Sequence, residues 1–256
     1  MSLDQTIPSL VNSFQYNLLL NLLDDKASPD LKKLLKLGVL SLDFDFPRAQ
    51  ALYEEIKESL DPKFAHLLKL NFADIANGNP DAVFSELLWS MKIQLIQGQV
   101  VDFLGRVYRF NEAYFKYAFA RHELDSQVDL FNPLFEEDRI LTRLRRKYKI
   151  GTGNVIFGVE RYLRQYHGKD KPVLRAIDRL TGPQMKAVIE LRHESIVGHG
   201  FQPASLEALE KIFPKPQDLV DLMREALTDT GVRIYDSKYY RLNQAILQKV
   251  EEEDIA

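Results

Sequence analysis

Apolar residues recur at three- and four-residue intervals through most of the chain, the spacing that gathers them on one face of an α-helix. Phe14, Leu18 and Leu22 open the series, before a polar break from Asp24 to Asp30 and an apolar-rich helical stretch from Leu31 to Leu40. Pro47 suits the first turn of a helix whose face carries Ala49, Leu52, Ile56 and Leu60. Asn77-Gly78-Asn79-Pro80-Asp81 reads as a turn with Asp81 as N-cap, followed by a helix through Val83, Phe84, Leu87, Leu88, Met91 and Leu95 that ends at Gly98. Phe103, Val107, Phe110, Tyr114 and Tyr117 mark another. Trp89, the methionines and the tyrosines read as packing residues.

Further helices are expected over Val155–Tyr166, Val173–Leu180, from Pro183 onward, after Pro214 and Pro216, and near Lys238–Val250. Val232–Tyr235 reads as a short strand. The expected class is therefore mainly α, a helical bundle, with a helical domain over 1–130 and a second over 131–256. A single long all-α domain is the alternative.

Composition adds exclusions. With 45% hydrophobic and 28% charged residues, the chain falls outside the disordered and collagen-like classes. It has no cysteine, which removes disulfides and thiolate zinc sites and suits the reducing cytoplasm. No apolar run approaches the roughly 20 residues that span a bilayer, and the N-terminus lacks the pattern of a secretion signal. The net charge of −3 argues against a polyanion partner until its distribution is considered. From Arg139 to Arg192 there are 14 basic residues and four acidic ones (Glu160, Asp170, Asp178 and Glu190), a net +10 against −13 for the rest. Such an island is the footprint of a phosphate-rich partner; basic helices paired with acidic neighbours give the same pattern.

Chemistry-bearing motifs are few. Neither His122-Glu123 nor His193-Glu194 is completed by a second histidine four residues after the first, so no zinc-protease signature exists. Gly151-Thr152-Gly153-Asn154 lacks the Lys-Ser/Thr ending of a phosphate loop. Asp43 and Asp45 share a face if their segment is extended, but have no third ligand nearby. There remains Leu191-Arg192-His193-Glu194-Ser195-Ile196-Val197-Gly198-His199-Gly200. Residues seven apart on a helix return to one face within about 20°. A continuous helix thus aligns Arg192 with His199 at its end, where Gly200 supplies a left-handed stop. Guanidinium clamps a phosphate and imidazole moves a proton near neutrality. A histidine near a helix end also serves the helix dipole alone.

At Arg192-His193, followed after the gap by His199, the sequence resembles a HEPN domain, the all-helical family whose ribonucleases carry Arg, a polar residue and then His. The resemblance extends upstream. Leu42-Asp43-Phe44-Asp45-Phe46-Pro47-Arg48-Ala49 and the phrase from Glu86-Leu87-Leu88-Trp89-Ser90-Met91-Lys92-Ile93 through Gly98, Asp102-Phe103-Leu104 and Arg106 are similar to CRISPR-associated type III accessory ribonucleases. It implies a homodimer whose two Arg–His helices form one composite site. That site cuts single-stranded RNA without a metal or other cofactor, leaving a 2′,3′-cyclic phosphate and a 5′-hydroxyl. Arg192 then orients and stabilises the scissile phosphate, His199 acts in acid–base or transition-state stabilisation, and His193 supports them. Arg164, Lys169 and Lys171 are the expected RNA contacts. The family's Rossmann-like sensor binds cyclic oligoadenylate, and the helical start of this sequence departs from that pattern. A response to the nucleotide is expected only through a sensor domain absent from this chain. The alternatives are a HEPN-like module that dimerises and binds RNA or nucleotide without cutting, and a purely structural helical partner.

Overall fold

The computed structural model describes residues 3–23, 25–123, 128–133 and 136–255; Asp24, which opens the expected polar break, lies outside them. Among the described residues there are fourteen α-helices, one 3-10 turn and no strand, a mainly α helical bundle. None of these helices is long and apolar enough to cross a membrane.

Two compact units divide the chain. The first joins Met1–Ala76 to Asp236–Ala256. It holds α1 (Leu3–Asn12), α2 (Tyr16–Leu22), α3 (Pro29–Leu42), α4 (Phe46–Ile56), the turn Lys57–Ser59, α5 (Pro62–Ala76) and α14 (Lys238–Glu252). The C-terminal α14 returns to pack on α1, α3 and α5. Tyr16 donates its buried hydroxyl to Asn243 Oδ1 at 2.6 Å, and Asn243 Nδ2 donates to the Val11 carbonyl at 2.8 Å. Asn243 thereby ties α14 to both opening helices.

The spacing Phe14, Leu18, Leu22 does not mark the buried face. Phe14, though buried, sits in the left-handed region (φ 59°) between α1 and α2, Leu18 and Leu22 are exposed, and the positions buried beyond it are Tyr16, Leu19 and Leu23. Asp43 and Asp45 do not share an extended segment. Asp43 caps the end of α3, Phe44 turns the chain at φ 61°, and Asp45 accepts from Arg48 N at the start of α4.

The second unit, Asn77–Tyr235, holds α6 (Pro80–Ile96), α7 (Val100–Glu123), α8 (Glu137–Tyr148), α9 (Val155–Tyr166), α10 (Lys171–Leu180), α11 (Pro183–Glu194), α12 (Leu206–Glu210) and α13 (Gln217–Asp229). The 24-residue α7 is its axis and packs against α6, α9 and α11. Residue 130, the expected boundary, falls inside this unit. Phe84, Phe103 and Phe110 before it share one buried cluster with Ile140, Val159, Ile177 and Met223 after it. Helical periodicity shows that each helix has an apolar face but not which helix covers it.

Two local expectations change. Asn79, not Asp81, caps α6 by accepting from Asp81 N at 2.9 Å. Asp81 instead accepts from Arg233 N at 3.0 Å. Val232–Tyr235 forms no strand: Tyr235 N donates to Ser85 Oγ and its carbonyl accepts from the Trp89 indole, both at 2.8 Å. Side chains of α6 satisfy the backbone that a sheet partner would otherwise have to satisfy.

Candidate functional site

Pro183 occupies the first turn of α11, and Met185 and Val188 are its buried anchors. The helix stops at Glu194, five residues before His199. Ser195 is extended (φ −89°, ψ 172°), so Arg192 and His199 do not lie on one continuous helix. Gly200 is not the left-handed stop either, since its φ is not positive.

A loop folded back on the helix end brings His199 to His193 instead. His199 N and Gly200 N both donate to the His193 carbonyl, at 3.0 and 3.1 Å, and Gln202 N donates to the Glu194 carbonyl at 2.8 Å. Ser195, buried, donates its hydroxyl to the Arg192 carbonyl at 2.8 Å. These bonds satisfy the carbonyls that a helix C-terminus leaves orphaned. They also explain the two glycines around His199. A Cβ at Gly198 would stand 2.5 Å from the Arg192 carbonyl oxygen, and one at Gly200 would stand 2.7 Å from Glu194 Cα and closer still to its carbonyl oxygen.

The result is a compact cluster. The His193 and His199 rings are near parallel, 10° apart with centroids at 6.4 Å. Arg192 Nη1 lies 3.2 Å from His193 Nδ1. A guanidinium only donates, so Nδ1 accepts and the ring proton of His193 sits on Nε2 while this bond stands. Arg192 also stacks on Tyr108 of α7, its Cζ 4.6 Å from the ring centroid. Tyr108 in turn meets His193 edge-on at 6.1 Å. Arg192 Nε is buried without a hydrogen-bond partner, and Arg192 has no carboxylate partner among the described residues. This is an oriented cation with a free donor beside two imidazoles. Its chemistry suits an anion whose reaction needs a proton moved. Tyr108 carries no local signature of the role, because only the packing of α11 on α7 brings it here.

The expected RNA contacts are treated unequally. Arg164 is held by Glu160 and Asp178, at 3.1 and 2.7 Å. Lys169 and Lys171 are exposed and pair with no carboxylate among the described residues. Elsewhere in the island, Arg175 and Arg179 pair with Asp229. Arg143 and Lys147 reach Glu123 at 3.1 and 3.2 Å. The Glu123 side chain, only 4% exposed, also accepts from the hydroxyls of Tyr148 and Tyr162. Tyr162 Oη lies 2.8 Å from His167 Nε2, and the His167 ring packs 4.1 Å from that of His122. Among the described residues no group of three or more His, Asp or Glu side chains is arranged to hold a metal ion.

Comparison with protein-family models, curated proteins and solved structures finds no match.

Proposed function

We propose that this chain is a metal-independent endoribonuclease that cleaves single-stranded RNA in CRISPR type III antiviral defence in the cytoplasm, with Arg192 and His199 as its catalytic pair and His193 in support. The observation that carries this reading is the guanidinium of Arg192. It is fixed by Tyr108 and His193, keeps an unmatched buried N–H, and lies in one cluster with the exposed His199. In the reaction the ribose 2′-oxygen attacks the adjacent phosphorus as its proton leaves. The 2′-O–P bond forms, the P–O5′ bond breaks, and the departing 5′-oxygen takes up a proton. The Arg192 guanidinium stabilises the charge gathering on the non-bridging oxygens, and His199 carries a proton to or from the reacting oxygens.

A composite site between two copies is part of the proposal. Its support is Ile196 and Phe201, 73% and 93% exposed on the loop that bears His199. Apolar side chains presented beside polar chemistry are a feature of partner surfaces. The ion pairs of Arg164, Arg175 and Arg179 favour a second reading, a purely structural helical partner, because they neutralise part of the island within the fold. Cleavage of a fluorescent single-stranded RNA in excess EDTA separates the two. The nuclease cuts, and Arg192→Ala and His199→Ala each abolish cutting; activity that survives in both folded variants removes these residues from the reaction.

A further inference from the structure

Arg139, Arg143 and Lys147 recur every four residues along one side of α8, with Arg146 three residues after Arg143 and next to Lys147. They line an open groove of about 580 Å³ together with Ile140 and with Phe119 of α7. Three carboxylates oppose them. Glu136 pairs with Arg139 at 3.3 Å in a solvent-exposed contact, the kind of bond that water and salt weaken. Asp138 is part of the lining. Glu123 is shared between Arg143 and Lys147, so one negative charge faces two positive ones. Arg146 is exposed with no carboxylate partner among the described residues, and so are Arg145 and Lys149 at the same end of the helix. The surplus charge is thus positive and spread along a helix edge. That arrangement matches a chain of phosphates better than a single small anion.

The groove and the Arg192 cluster share α7 as a scale. Arg192 stacks on Tyr108, and the groove is lined by Phe119, eleven residues further along. On a helix that separation is about 16 Å of axis and about 20° of rotation, nearly the same side. At about 3.4 Å per nucleotide it corresponds to roughly five stacked nucleotides.

We propose that the α8 groove is a second contact for the backbone of single-stranded RNA, holding the strand about five nucleotides from the bond that is cut. The distance rests on the nuclease reading above; the binding does not. Arg139 and Arg146 are the residues to change, because neither holds Glu123 in place.

The test is fluorescence anisotropy with 5′-labelled oligoadenylates of four and twelve nucleotides, using the full chain with His199→Ala, with and without Arg139→Gln and Arg146→Gln. The parent binds the twelve-mer more tightly than the four-mer. The double variant loses that gain, weakening for the twelve-mer by about tenfold. Its dependence of log K on log salt becomes shallower by about 1.4, the value for two single-strand phosphate contacts. Unchanged affinity and salt slope in the double variant overturn the groove, whether or not the wild type cuts RNA. A wild type that never cuts, beside a double variant that loses the twelve-mer, overturns the catalytic reading and leaves the groove standing. No RNA bound by any form overturns both. An oligoglutamate peptide bound as tightly through the same two arginines overturns RNA as the occupant.

Discussion

Replacing Gly200 by alanine strikes the loop that assembles the site while leaving every catalytic side chain in the sequence. The added Cβ would lie 2.7 Å from Glu194 Cα and closer to the Glu194 carbonyl oxygen, both of them backbone atoms that no rotamer change can move. The loop must lift from the end of α11, losing the bonds from His199 N and Gly200 N to the His193 carbonyl and from Gln202 N to the Glu194 carbonyl. At about 1 kcal/mol net for each bond, the closed loop loses roughly 2–3 kcal/mol, which is about a hundredfold in its opening equilibrium. Amide hydrogen exchange at residues 199, 200 and 202 should therefore accelerate by about that factor. Helical content should be retained, since Met185 and Val188 still anchor α11. RNA cleavage should fall by about a hundredfold or more, as a displacement of about 1 Å costs a catalytic group on that order. Wild-type protection of these amides in Gly200→Ala would refute the claim that close approach at this glycine holds His199 beside His193.

Three other perturbations have definite expected outcomes. Tyr108→Leu removes the face on which Arg192 stacks and should slow cleavage about fivefold, in keeping with about 1 kcal/mol for a partly desolvated cation–π contact; Tyr108→Phe should cut at close to the wild-type rate. Asn243→Ala leaves the buried Tyr16 hydroxyl unpaired and removes one of two hydrogen bonds to the Val11 carbonyl, which Phe14 N still reaches at 2.9 Å, and urea denaturation should show a loss of about 2–3 kcal/mol. Stability should also decline on acidification in two stages. Burial and then the neighbouring His167 hold the His122 pKa below the usual 6.5, so the stability due to its neutral form is present above 6.5 and lost as pH falls through the lowered value. Burial pushes Glu123 up, but hydrogen bonds from Tyr148, Lys147 and Tyr162 outweigh it and leave its pKa below the usual 4.5. Its contribution is therefore present above 4.5 and lost as pH falls through its own lowered value. Thermal melts across pH should lose the first stage in His122→Gln and the second in Glu123→Gln.

The helices were legible where an apolar period coincides with a local start or stop signal. Pro183 and Asn154 stand at the starts of α11 and α9, and both helices begin where the sequence suggests. Legibility failed where a tertiary partner decides the conformation. Val232–Tyr235 has the composition of a strand but finds Ser85 and Trp89 instead of a sheet neighbour. Phe14 fits a helical period but turns the chain, because the buried stripe of α2 runs through Tyr16 and Leu19. At the candidate site the spacing of Arg192 and His199 suggested one helix face, and the structure links them through His193 instead. A continuous helix was expected to align them, whereas a helix end with two close-packed glycines brings the rings together. Tyr108 could not be read at all, since nothing in its own surroundings on α7 refers to α11.

The central claim is that Arg192 and His199 promote attack by the RNA's own 2′-hydroxyl, and the ends of the product test it most directly. Mass spectrometry of a single-stranded RNA cut in excess EDTA should show a 2′,3′-cyclic phosphate on one fragment and a 5′-hydroxyl on the other. A single 2′-deoxynucleotide at the cleaved position should block that cut. Fragments bearing a 3′-hydroxyl and a 5′-phosphate, or cleavage that proceeds through the deoxynucleotide, would contradict it.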